Sequence, residues 1–194
     1  MGEMNFLSPA QLLGYVAFVL GVSSFLQKSD KRLILFNASE CVVYTVHFFL
    51  LGNFTASGSA CVSAVRSLVS LRWRAPVMAA IFIALNIVVG VTAAKHWTGW
   101  FPVIGCCFAT YGLFYLRGVG LRLAFLASTA LWIANNILSG SIGGTALEFC
   151  IFATNSTTII RMLLRGKRVL RQRANSLAAR EARNMAASGY IAGE

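Results

Sequence analysis

The chain has 194 residues, 57% of them hydrophobic and only 12% charged, with a mean hydropathy of +0.70. Soluble domains carry roughly 25% charged residues, so a water-soluble domain is excluded and an integral membrane protein is expected. The net charge of +11 raises nucleic acid as a partner, but a nucleic-acid binder gathers its basic residues on one solvated face; here they stand in the gaps between apolar runs.

A hydrocarbon core about 30 Å thick needs about 20 helical residues. The first run of that kind, residues 8–26, follows a start (MGEMNFLSPAQ) without Lys or Arg. No small-residue cleavage pattern closes it, so it reads as a span and not a signal peptide. Further runs follow near 33–52, 54–71, 75–94, 99–116, 119–139 and 142–163, giving seven spans with short loops. They are continuous and lack a period of two, which excludes a membrane β-barrel.

The second span contains NASECVVYTVH (37–47), in which Asn37, Glu40, Tyr44 and His47 follow one another at steps of three, four and three residues. Such steps put all four on one side of an α-helix. The third span carries a similar stripe, Ser59, Ser63, Arg66, Ser67 and Ser70. In the sixth, Trp132 and Asn136 are one turn apart, and in the seventh Thr145, Glu148, Asn155 and Thr158 share a face. Four helices with polar stripes predict a lined cavity. Packing of small residues between helices is the plainer reading of the serines.

Fifteen of the 17 basic residues fall on one side of a seven-span arrangement. They are Lys28, Lys31 and Arg32, Arg72 and Arg74, Arg117 and Arg122, and in the tail Arg161, Arg165, Lys167, Arg168, Arg171, Arg173, Arg180 and Arg183. Lys95 lies on the other side and Arg66 inside the membrane. The positive-inside rule then places the N-terminus outside and the C-terminus in the cytoplasm. The tail after residue 165 either extends the last helix along an anionic leaflet or stays disordered.

Residues 31–70 and 121–158 share a layout: KRL precedes the second span and LRL the sixth, and Gly52 and Gly140 end them, the offset being 90 at Arg32 and Arg122 and 88 at the glycines, so one copy is two residues shorter. The offset of 88 carries Asn37, Glu40, Tyr44 and His47 onto Phe125, Ser128, Trp132 and Asn135. Three spans is an odd number, so two such copies run parallel only if one helix joins them. The expected all-α architecture is therefore 3+1+3: residues 1–74, a linker helix in 75–98, residues 99–164, and a basic tail in 165–194.

An isolated Glu or Arg at mid-bilayer costs roughly 2.5–3.5 kcal/mol on insertion scales, so Glu40 and Arg66 are expected to face each other or share a water-filled pocket. The plainer alternatives are a snorkelling Arg66 with a neutral Glu40, and a hydrogen-bonded interior His47 with no solute role. HExxH, GxSxG, P-loop and GxGxxG patterns are missing. Two histidines leave no metal-ligand set, and the five cysteines read as small buried hydrophobes. No enzyme, cofactor or metal is expected.

VHFFLLG (46–52), PVIG (102–105), GSIGGT (140–145) and NSTTIIR (155–161), with Arg66, Trp132, Asn136 and Glu148 in their places, resemble the YgjV family of bacterial inner-membrane proteins. The 3+1+3 layout is similar to the wider PQ-loop group of SWEET sugar facilitators and PnuC vitamin-precursor transporters. That resemblance implies Trp and Asn side chains around a central solute, which Trp132 and Asn155 would supply. Arg66 departs from the group by standing where an Asn would be expected, which points to an anionic solute or proton coupling.

The expected function is transport of a small polar solute across the bacterial cytoplasmic membrane by rocking one three-helix bundle against the other. Tyr44, His47, Trp132, Asn135, Asn136 and Asn155 are the expected solute contacts, with Glu40, Arg66 and Glu148 setting charge or proton coupling. The competing expectation is a non-transporting component that binds lipid or a partner protein. A second copy of the chain, as a homo-oligomer, is left open.

Overall fold

A computed structural model describes residues 6–25, 30–73 and 75–191. Lys28 and Arg74, and the side chains of Arg171, Arg173, Arg180 and Arg183, lie outside the described residues. Among those described there are seven α-helices: α1 (Pro9–Phe25), α2 (Asp30–Leu50), α3 (Phe54–Ser70), α4 (Pro76–Ala93), α5 (Trp100–Tyr115), α6 (Gly118–Leu138) and α7 (Ile142–Ile191). A single 3-10 turn, Trp97–Gly99, precedes α5. Three segments, Pro76–Ala93, Gly118–Leu138 and Ile142–Arg168, are long and apolar enough to cross a membrane, and Pro9–Ser24 and Ile34–Leu50 are shorter apolar helices.

Burial follows the logic of a bilayer. α4 buries only Ala79, Phe82, Asn86 and Gly90, at steps of three and four. Its Val77, Ile81, Leu85, Ile87, Val88 and Val91 are exposed. α3 does the same more strongly, burying Ser57, Ser59, Ser63, Ser67 and Ser70 while Val65 and Leu68 point outward. Lipid tails reward no further hiding of Leu or Val, so small and polar faces meet instead. Gly58 of α3 lies against Val89 of α4, and Gly143 of α7 approaches the backbone of Gly14 in α1 so closely that a Cβ would strike it.

The α2–α3 and α6–α7 turns repeat each other. Gly52 and Gly140 take positive φ of 73° and 67°, where only glycine is unstrained. Gly52 N donates to Phe49 O and Asn53 N to Phe48 O at 3.0 and 2.9 Å. Gly140 N donates to Ile137 O and Ser141 N to Asn136 O at 3.1 and 2.9 Å. The next helix is then capped in both: Asn53 Oδ1 accepts from Ala56 N at 3.0 Å, and Ser141 Oγ from Gly144 N at 3.2 Å. Each residue of the first turn has its counterpart 88 places on.

The chain divides into two units, Met1–Ser156 and Thr157–Glu194. In the first, α2 packs on α1 and α3, α5 on α6, and α4 on α3 and α5. The second is helical through Ile191, so of the two states the sequence leaves open for the tail, helix is the one adopted. Its Arg161, Arg165, Lys167 and Arg168 are exposed.

Candidate functional site

A cavity of about 740 Å³ opens between α2, α3, α5, α6 and the first part of α7. It runs from Tyr44 and Trp132 toward the end of the bundle where Ser24, Ile34, Ser70, Arg117 and Arg122 lie. Six of the side chains singled out in the sequence line it together: Glu40, Tyr44, Arg66, Trp132, Glu148 and Asn155. The lining contains nine residue pairs separated by 88 places: 34/122, 37/125, 40/128, 41/129, 44/132, 60/148, 63/151, 66/154 and 67/155. Positions 88 residues apart thus line the same space.

Local bonds explain how polar groups are held here. Ser67 Oγ lies 3.0 Å from Asn37 Oδ1 and 2.8 Å from Ser63 O. Arg66 Nη1 donates to Thr110 Oγ1 at 2.6 Å, and Thr110 passes its own proton to Cys106 O at 2.7 Å. Glu40 and Arg66 share the cavity, but among the described residues no ion pair joins them. Asn155 Nδ2 donates to Arg122 O at 2.8 Å. Three lining atoms are buried without a partner: Tyr44 Oη, Arg66 Nε and Asn155 Oδ1.

The other three expected contacts lie elsewhere. His47 is fully buried and touches neither cavity; its Nδ1 is 2.6 Å from Ala10 O and its Nε2 2.7 Å from Ser141 Oγ. A carbonyl only accepts, so Nδ1 carries a proton, and in the neutral ring Nε2 accepts from the Ser141 hydroxyl. Asn136 is fully buried, its Nδ2 bonded to Trp132 O at 2.8 Å, and its carboxamide packs against Gly144. Asn135 Oδ1 accepts from Asn53 Nδ2 at 2.8 Å and lines a second cavity of about 250 Å³ formed by the α2–α3, α4–α5 and α6–α7 turns. Phe48 is fully buried and lines neither cavity, its ring 5.3 Å from Tyr44 and 5.7 Å from Trp132.

A family model described as a bacterial inner membrane protein, Imp-YgjV, matches residues 8–165. The chain belongs to the YgjV family. Inner membrane protein YgjV of Escherichia coli (strain K12) is 36% identical over 159 residues, which is 82% of this chain and 87% of that protein. No solved structure matches. Every residue that lines either cavity falls inside the family match, and the helical tail beyond residue 165 falls outside it.

Reading the sequence alone misses Thr110 and Cys106 of α5, which hold Arg66 and approach Ser63 (Oγ to Sγ 3.3 Å). A threonine and a cysteine in an apolar run carry no periodic signal of their own. It also misses Gln11, whose Nε2 donates to Gly140 O at 2.6 Å and whose Oε1 accepts from Ile142 N at 3.2 Å. An amide inside an apolar run has to find such partners, and that was the available signal.

Proposed function

We propose that this YgjV-family protein is a multi-pass inner-membrane transporter or facilitator of a small polar solute, working by alternating access between two parallel three-helix repeats. In this reading α1–α3 and α5–α7 are the repeats and α4 the linker of a seven-span, 3+1+3 bundle like that of the SWEET and PnuC groups. The Lys- and Arg-rich end faces the cytoplasm, so the N-terminus lies outside and α7 runs on along the anionic leaflet.

The observation that carries it is the lining of the large cavity by nine pairs of equivalent residues. A solute site on the axis between repeats is where relative rocking changes access from one face to the other. Tyr44, Trp132 and Asn155 are its solute contacts, and Glu40, Arg66 and Glu148 set its charge and proton coupling. His47, Asn135, Asn136 and Phe48 form the closed side: they lie beyond Tyr44 and Trp132 and tie the helix ends together. The cavity then opens inward.

The test is aqueous access. In a cysteine-free variant carrying Ser128→Cys, a membrane-impermeant maleimide should label the protein in inside-out vesicles and spare it in right-side-out ones. Absence of labelling from either side means a dry seam and ends the transport reading.

A further inference from the structure

At the end of the bundle where α2 gives way to α3 and α6 to α7, three side chains reach the α6–α7 turn among the described residues. Gln11 of α1 donates from Nε2 to Gly140 O at 2.6 Å and accepts at Oε1 from Ile142 N at 3.2 Å. His47 of α2 bonds Ser141 Oγ at 2.7 Å. Asn53, at the α2–α3 turn, donates from Nδ2 to Asn135 Oδ1 at 2.8 Å and to Ser139 Oγ at 2.7 Å. In the proposed orientation this is the outer end, and rocking of α1–α3 against α5–α7 opens it only when such bonds part.

They do not part with equal ease. Gln11 is 6% exposed and His47 0%, so their released partners stay in a dry seam and lose the bond outright. Asn53 is half-buried, and it lines the second cavity together with Asn135 and Ser139. The exposed Lys95 and His96 line the same cavity, so it meets the medium. A bond at a wet wall exchanges for bonds to water at small net cost. The closed arrangement also leaves Asn135 Nδ2 buried without a partner, which lowers what closure gains.

The Asn53 amide is divided between two tasks. Its Oδ1 accepts from Ala56 N and Thr55 Oγ1, both at 3.0 Å, at the start of its own helix α3. Only Nδ2 reaches the α6–α7 turn. The cap therefore travels with α3, while the donor half is free to let go. At the turn 88 places on, Ser141 Oγ caps α7 by accepting from Gly144 N at 3.2 Å, so a serine suffices for the cap alone.

We infer that Asn53 is the catch of an outer gate: its two Nδ2 bonds keep the outer end closed, and their exchange for water in the second cavity releases it. The inference rests on the transport reading of the large cavity and names the residue that controls access to it from outside.

The experiment uses the full-length, cysteine-free protein carrying Ser128→Cys, with and without Asn53→Ser, in vesicles of both orientations, and reads the rate of labelling by the membrane-impermeant maleimide. Serine keeps a cap for α3 and is too short to hold Asn135 and Ser139. Asn53→Ser should raise labelling in right-side-out vesicles at least tenfold without raising it in inside-out ones. A loosened fold speeds labelling from both sides, and that outcome overturns the catch, as does an unchanged rate in right-side-out vesicles. Should Asn53→Ser not fold, Ser139→Ala, which removes one of the two bonds and leaves the cap untouched, should raise the right-side-out rate alone; no rise there overturns the catch. Each of these failures leaves the parent protein labelled from inside and the transport reading in place, whereas a parent unlabelled from both sides removes that reading and the catch with it.

Discussion

His47 of α2 and Ser141 at the head of α7 are joined by a 2.7 Å hydrogen bond, and the residues 88 places from each, Asn135 and Asn53, are joined by one of 2.8 Å. The last turn of α2 thus holds the cap of α7, while the last turn of α6 holds the cap of α3. His47→Ala leaves the Ala10 carbonyl and the Ser141 hydroxyl without their buried partner, and should cost about 1–3 kcal/mol. A double-mutant cycle of His47→Ala with Ser141→Ala, followed by unfolding in mixed detergent micelles, should give a coupling of about 0.6–1.7 kcal/mol, the range seen for bonds between membrane helices. A coupling near zero would deny the bond any role in holding the end of α2 to the head of α7.

The paired turns make a sharper comparison. A Cβ on Gly52 or on Gly140 meets nothing within 4 Å, so Gly→Ala at either place tests the backbone alone. With φ of 73° and 67°, each substitution should cost about 1–2 kcal/mol. The two melting shifts should agree closely; widely different shifts would show that the turns are not mechanical equivalents.

Gly144 is constrained by space instead. A Cβ there would collide with the Asn136 carboxamide and lie 2.5 Å from Ser141 Oγ. Asn136 is fully buried and cannot yield, so Gly144→Ala should destabilise by about 1–3 kcal/mol. At Gly120 the nearest atom is 3.9 Å away; Gly120→Ala should be neutral or stabilise by up to about 1 kcal/mol through helix propensity. Thermal unfolding of the two variants side by side checks both signs.

Much of the helix layout was legible because glycines and basic residues punctuate the apolar runs. The run at 54–71 became Phe54–Ser70, and that at 75–94 became Pro76–Ala93. The site was legible in direction but not in depth. Steps of three and four put Glu40, Tyr44 and His47 on one face, but 1.5 Å per residue carries His47 one turn past the end of the cavity, into contact with Ala10 and Ser141. Asn135 and Asn136 likewise lie beyond Trp132 and outside the lining of the large cavity. The partners on α5, Thr110 and Cys106, depend on which helices meet, and a single sequence does not encode that as a local pattern.

Arg66 separates stability from function most cleanly. Its guanidinium sits among helices with one neutral hydroxyl as partner and its Nε unsatisfied. Removing it orphans little, because Thr110 still donates to Cys106 O at 2.7 Å. Replacing an under-paired buried charge by an apolar chain of similar length is commonly neutral or stabilising, and strained functional groups are retained at the expense of stability. Arg66→Met should therefore hold or raise the unfolding midpoint, by an amount equivalent to about 0–2 kcal/mol, while solute binding falls at least tenfold. If the variant instead loses several kcal/mol of stability, Arg66 is a structural tie between α3 and α5, and its place in the solute site is forfeited.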